Sequence, residues 1–140
     1  MANRDLDELF HILMPHAVDK LCFFGHFQPF GATVNSSGEI TPNVAHIGGS
    51  NKPNRKQVDK LVKAYQKLAS ERRIRALGVC KQVPLNNAAF DTTGTAINCC
   101  LEHANGDVID LYIPFNINRA TNSITFGSLC ARQKPGDFFN

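Results

Sequence analysis

The stretch Ile97-Asn98-Cys99-Cys100-Leu101-Glu102-His103-Ala104-Asn105-Gly106-Asp107-Val108-Ile109-Asp110-Leu111-Tyr112-Ile113 decides the fold. Asn105-Gly106 is a turn dipeptide between two apolar-rich runs, the mark of a hairpin. A two-residue loop would pair Glu102 with Ile109 and Leu101 with Asp110, mixing polar and apolar side chains on both faces. A three-residue loop, Ala104-Asn105-Gly106 with Gly106 in the left-handed region, instead sets Leu101 beside Ile109, Cys99 beside Leu111 and Ile97 beside Ile113. Glu102, Asn98 and Asp110 then gather on the other face. A one-residue slip inverts every side chain, so the cleaner face selects the three-residue loop.

Working outward, residues 74–83 read as a strand and 84–91 as a loop, with the hairpin strands at 92–103 and 107–116. A polar connection leads to a last strand at 123–132, and Lys134-Pro135-Gly136-Asp137 reads as a tail. Upstream, residues 54–73 form the clearest helix. Val58, Leu61, Val62, Tyr65, Leu68 and Ala69 make one continuous apolar face. An earlier hairpin, 27–35 and 39–47, turns at Ser36-Ser37-Gly38, and Pro42 in its second strand argues for a sheet edge. Residues 5–24 read as a first helix, because Leu6, Phe10, Leu13, Ala17 and Leu21 recur at three- and four-residue steps. Asp5 with Glu8 resembles a capping box, Pro15 is expected to kink or split the helix, and Gly25 ends it.

The expected fold class is therefore α+β, in the order α-β-β-α-β-β-β(-β). An antiparallel sheet of five or six strands carries two helices on one face. At 140 residues the chain is read as a single domain. With 43% apolar residues it can bury a core, and disorder is excluded as the main state. The expected strand order, 2-1-5-4-3, looks like the profilin or roadblock type of domain, a likeness of architecture that carries no function.

Gly25-His26-Phe27-Gln28-Pro29-Phe30-Gly31-Ala32, Leu101-Glu102-His103 with Gly106, Tyr112-Ile113-Pro114-Phe115 and Phe126-Gly127-Ser128-Leu129 together resemble a group of small uncharacterised bacterial proteins. That group has a Phe-x-Pro-Phe-Gly segment after the first helix and a Leu-Glu-His…Gly hairpin. The resemblance brings no known activity, so no catalytic residue is carried over.

The residues themselves offer few constellations. Five cysteines without a C-x-x-C spacing exclude a zinc ribbon, and no metal site or cofactor is expected. With no export signal at the N-terminus and no apolar run of membrane length, the expected setting is cytoplasmic, with reduced thiols and no membrane partner. Cys99 and Cys100 point to opposite faces with no adjacent base, and Glu102 and His103 cannot form a local dyad, so no catalytic residue is named. The Gly25–Gly31 corner offers a small ligand pocket lined by His26, Phe27, Phe30 and Phe126, set against the plainer reading of a packed corner.

Charge is uneven. Residues 52–75 hold nine basic side chains against Asp59 and Glu71, a net +7, while the remainder is −4. Lys56, Lys60, Lys63 and Lys67 form a basic surface on the helix face opposite Val58 and Leu61. They lack interleaved aromatics, which argues against nucleic acid and for a solvated face or an acidic protein partner. The expectation is a non-catalytic protein-binding or regulatory module, of the immunity type for example, that binds another protein or itself as a homodimer. The alternative is a sensor-like domain binding a small molecule between sheet and helices.

Overall fold

In the computed structural model the Leu101–Ile109, Cys99–Leu111 and Ile97–Ile113 pairs stand in register, around a loop with Gly106 at φ +103°. The structure describes residues 3–44, 55–84, 95–118, 120, 121 and 123–139, apart from the side chains of residues 44 and 55–57. Expectations for residues 45–54 and 85–94 lie outside these.

The elements are α1 (Arg4–Phe24), β1 (Phe30–Asn35), β2 (Ile40–Val44), α2 (Arg55–Ser70), β3 (Ile74–Pro84), β4 (Thr95–His103), β5 (Val108–Asn118), β6 (Ser123–Phe126) and β7 (Cys130–Arg132). The class and the chain order are those expected. The expected last strand is two: Phe126 pairs with Phe115 and Cys130 with Tyr112, so the β6–β7 side carries one residue more than β5 over this span.

All pairings are antiparallel, in the order β2-β1-β3-β4-β5-β6, with β7 also on β5. This corrects the expected 2-1-5-4-3 order, on which the profilin or roadblock likeness rested. The cause is β3. Ala76, Leu77, Gly78, Val79 and Cys80 are all buried, so both faces of this strand need cover and it takes a central place beside β1.

The same strand corrects the placement of the helices, which lie on opposite faces. Leu6, Leu9, Leu13, Ala17 and Leu21 of α1 pack on Phe30, Ala32, Val34, Ala76, Cys80, Ile97, Cys99, Leu101 and Leu111. Leu61, Tyr65 and Ala69 of α2 pack on Leu77 and Val79, the residues of β3 that alternate with the α1 set. Phe138 and Phe139 join this second cluster.

α1 runs unbroken through Pro15. Pro15 and His11 are both exposed residues, so the helical donor that Pro15 denies the His11 carbonyl is lost on the outer side of α1. The N-cap is Asn3, whose side chain accepts from the Leu6 amide, in place of the expected Asp5–Glu8 box. Asp5 is engaged elsewhere, and Glu8 pairs with Arg4. Gly25 closes the helix at φ +76°, as expected.

Candidate functional site

The polar face of the hairpin becomes the α2 side of the sheet, and it is there that charge is buried. Glu102 on β4 is 2% exposed. Its carboxylate accepts three consecutive backbone N–H groups, from Asp137 (2.8 Å), Phe138 (3.0 Å) and Phe139 (2.7 Å). Hydrogen bonds of this kind to an ionised acceptor are among the strong ones, and they offset the desolvation of the carboxylate. Gly136 lies so close beneath that a Cβ there would sit 2.8 Å from a Glu102 oxygen. The segment 133–139, with no regular secondary structure, therefore crosses the sheet and ends against α2. There the Gln66 Nε2 donates to the Asp137 carbonyl, and the two phenylalanines reach the Leu61–Tyr65 cluster.

Beside this clasp lies a cleft of about 100 Å³ between α2, the sheet and the same segment. Val58, Val62, Val79 and Phe138 supply its apolar wall, and Lys81, Asn98, Asp110, Tyr112 and Lys134 its polar one. The Asn98 Nδ2 donates to Asp110 Oδ1 at 2.8 Å and to the Leu111 carbonyl at 3.0 Å, which fixes the amide's orientation. The Tyr112 hydroxyl is raised above its ordinary pKa by burial and by its hydrogen bond to Asp110. Cys100 also faces the cleft, but burial pushes its thiol up to about 12, so it stays protonated at neutral pH and is no nucleophile.

His103 is engaged on the other side of the sheet. Its Nδ1 accepts from the Asn105 amide at 3.1 Å, so Nε2 carries the proton and donates to Asp5 Oδ2 at 2.8 Å. Arg75 donates to both oxygens of the same carboxylate, at 2.9 and 3.0 Å. With both ring nitrogens occupied, this group ties the start of α1 to β3 and β4 rather than presenting a base. Across the hairpin loop, the His103 backbone N–H donates to the Asp107 carbonyl.

Of the residues proposed for a ligand pocket, His26, Phe27 and Phe30 share one corner and Phe126 lies apart from them. Phe27 and Phe30 are buried edge to face, 5.6 Å apart, and His16 packs on Phe30 at 4.5 Å. His26 is half-buried in the corner between α1 and β1. Phe126 stands on β6, four strand steps from β1, or about 19 Å at the usual spacing. The corner is thus the packed one. Of the basic surface, Lys60, Lys63 and Lys67 are exposed on α2, and the side chain of Lys56 lies outside the described residues. Cys22, near the end of α1, is exposed. Among the described residues no group of three or more His, Cys, Asp or Glu side chains could hold a metal, and no helix is long and apolar enough to cross a membrane.

The clasp at Glu102 was half visible in the sequence. Strand alternation places Glu102 with Asn98 and Asp110, but nothing local says what covers them. The signal was Phe138-Phe139 after Pro135-Gly136, since two adjacent phenylalanines after a turn ask to be buried.

Comparison of the chain with protein-family models, with curated proteins and with solved structures finds no match.

Proposed function

We propose that this chain is a non-catalytic α+β module that works by binding another protein, a second copy of itself in the first instance. The observation that carries this reading is at the end of α1. Phe23 is 83% exposed, and its neighbour Phe24 48%, with the Lys20 ammonium 5.2 Å from the Phe24 ring centre. Burying a phenylalanine against a partner is worth about 1.5–3 kcal/mol, so two together make an effective anchor. The chain then enters β1 at Phe30, which pairs with Val44 at the end of the edge strand β2. The aromatic anchor thus precedes, by a few residues, the strand that pairs with the edge strand β2. Pro42, within β2, limits open-ended strand addition and favours a closed dimer. The reading rests on these surfaces.

A small-molecule sensor would need a cavity of about 300 Å³ or more. Among the described residues, the cleft beside Lys81 holds about 100 Å³ and by itself is short of that. The test is native mass spectrometry with light scattering on the wild type and on Phe23→Ser/Phe24→Ser. A dimer is expected for the wild type at micromolar concentration, and a monomer for the double variant. A wild type that stays monomeric, or a double variant as dimeric as the wild type, overturns the proposal.

A further inference from the structure

The Glu102 clasp has the composition of a peptide-recognition site. Its elements are a buried carboxylate that accepts three successive main-chain N–H groups, a backbone approach so close that a Cβ would lie 2.8 Å from that carboxylate, and an apolar floor for two aromatic side chains. The segment filling it, residues 134–139, forms no helix and adds no strand to the sheet. Its bonds include those to Glu102, to Gln66 and, internally, between Lys134 and Asp137. It also leaves the adjoining cleft of about 100 Å³ unfilled. Without this segment, Glu102 loses the three main-chain donors it now has, and another polypeptide that presents successive N–H groups can restore them.

We propose that the groove between α2 and β3–β5 is a peptide-binding site whose intramolecular occupant is residues 134–139. It admits a segment of a partner protein with glycine, any residue and then two aromatic residues. The proposal rests on the protein-binding reading above and names the kind of segment bound. Specificity lies in the glycine, because a Cβ at that position meets the Glu102 carboxylate, and in the aromatic pair packed by Leu61 and Tyr65. Lys134 and Asp137 bridge each other at 2.6 Å within the occupant and add little to its hold on the groove.

The test uses the full chain and a fluorescent peptide of residues 132–139. Gly136→Ala in the protein drives its own segment off Glu102 while leaving the groove's walls intact. Anisotropy should show weak binding to the wild type and binding on the order of tenfold tighter to Gly136→Ala. Glu102→Gln introduced beside Gly136→Ala should reverse the gain, and a peptide carrying the same glycine-to-alanine change should not bind. Absence of saturable binding to a folded Gly136→Ala protein, or equal binding of the altered peptide, overturns the proposal. Should Gly136→Ala not fold, amide exchange of Asp137, Phe138 and Phe139 in the wild type decides. Exchange by local opening, faster than at Leu77 and Val79, is expected. Protection equal to those β3 amides overturns it. A wild-type dimer that the peptide dissociates would make a second copy's own segment the occupant, and the assignment to a foreign partner would fall. The two surfaces are separable, because Phe23→Ser/Phe24→Ser should abolish the dimer and leave peptide binding unchanged.

Discussion

Gly31 and Gly78 mark where the two layers press closest on the sheet. A Cβ on Gly78 would lie 2.6 and 2.7 Å from methyl groups of Leu13 and Leu101, side-chain ends that can yield. A Cβ on Gly31 would lie 2.5 Å from the Gly78 carbonyl oxygen and 2.7 Å from the Tyr65 hydroxyl, and the backbone atom cannot yield. Gly78→Ala is therefore expected to cost about 1–3 kcal/mol and Gly31→Ala more, measured by urea unfolding. Neither constraint is legible in the sequence, where both glycines read as ordinary strand residues. The Asp5 carboxyl is another case. The Arg75 guanidinium holds it below its ordinary value of 3.8, with His103 assisting and burial opposing. A carboxyl depressed in the folded state stabilises fully above its unfolded pKa, and that contribution is lost as pH falls through the folded value. Asp5→Asn should thus be less stable than the wild type at neutral pH, the gap closing as pH falls below about 3.8. A gap that persists unchanged down to about pH 2 would rule out the ionic contribution.

Among the elements, α1 buries a stripe of leucines against residues of four strands, and its period was plain in the sequence. Leu13 is buried at the centre of that stripe and touches the space above Gly78, so Leu13→Ala should cost about 2–5 kcal/mol by thermal or urea unfolding. Its cap was misread because Asp5 and Asn3 both suit an N-terminus, and the choice turned on Arg75, 70 residues away. Helix α2 was legible for a different reason. Leu61, Tyr65 and Ala69 are buried as the period requires, while Lys60, Lys63 and Lys67 stay in water. Replacing those three lysines by glutamine should change stability by no more than about 0.5 kcal/mol in chemical denaturation. A larger loss would mean that they cover apolar surface with their stems. Which face of the sheet α2 covers could not be read from α2 itself, since an apolar stripe fits either side.

At the scale of the whole molecule, the sheet is buried from two sides where one was expected. β3 lies beneath both helices, with Ala76 and Cys80 in one cluster and Leu77 and Val79 in the other. Its central amides should be the slowest to exchange with solvent, and the short β6 and β7 should exchange first, as followed by hydrogen–deuterium mass spectrometry. Faster exchange in β3 than in β5 would contradict the double cover. The helices, most strands and the β4–β5 register follow from local rules, because periodicity and turn chemistry act over a few residues and a slip would expose a whole face. The neighbour of β1, the side taken by α2 and the capture of residues 137–139 by Glu102 depend on segments tens of residues apart competing for the same apolar or charged surface. Burial adjudicates that competition only once the chain has collapsed, and its outcome is written in no single stretch of residues.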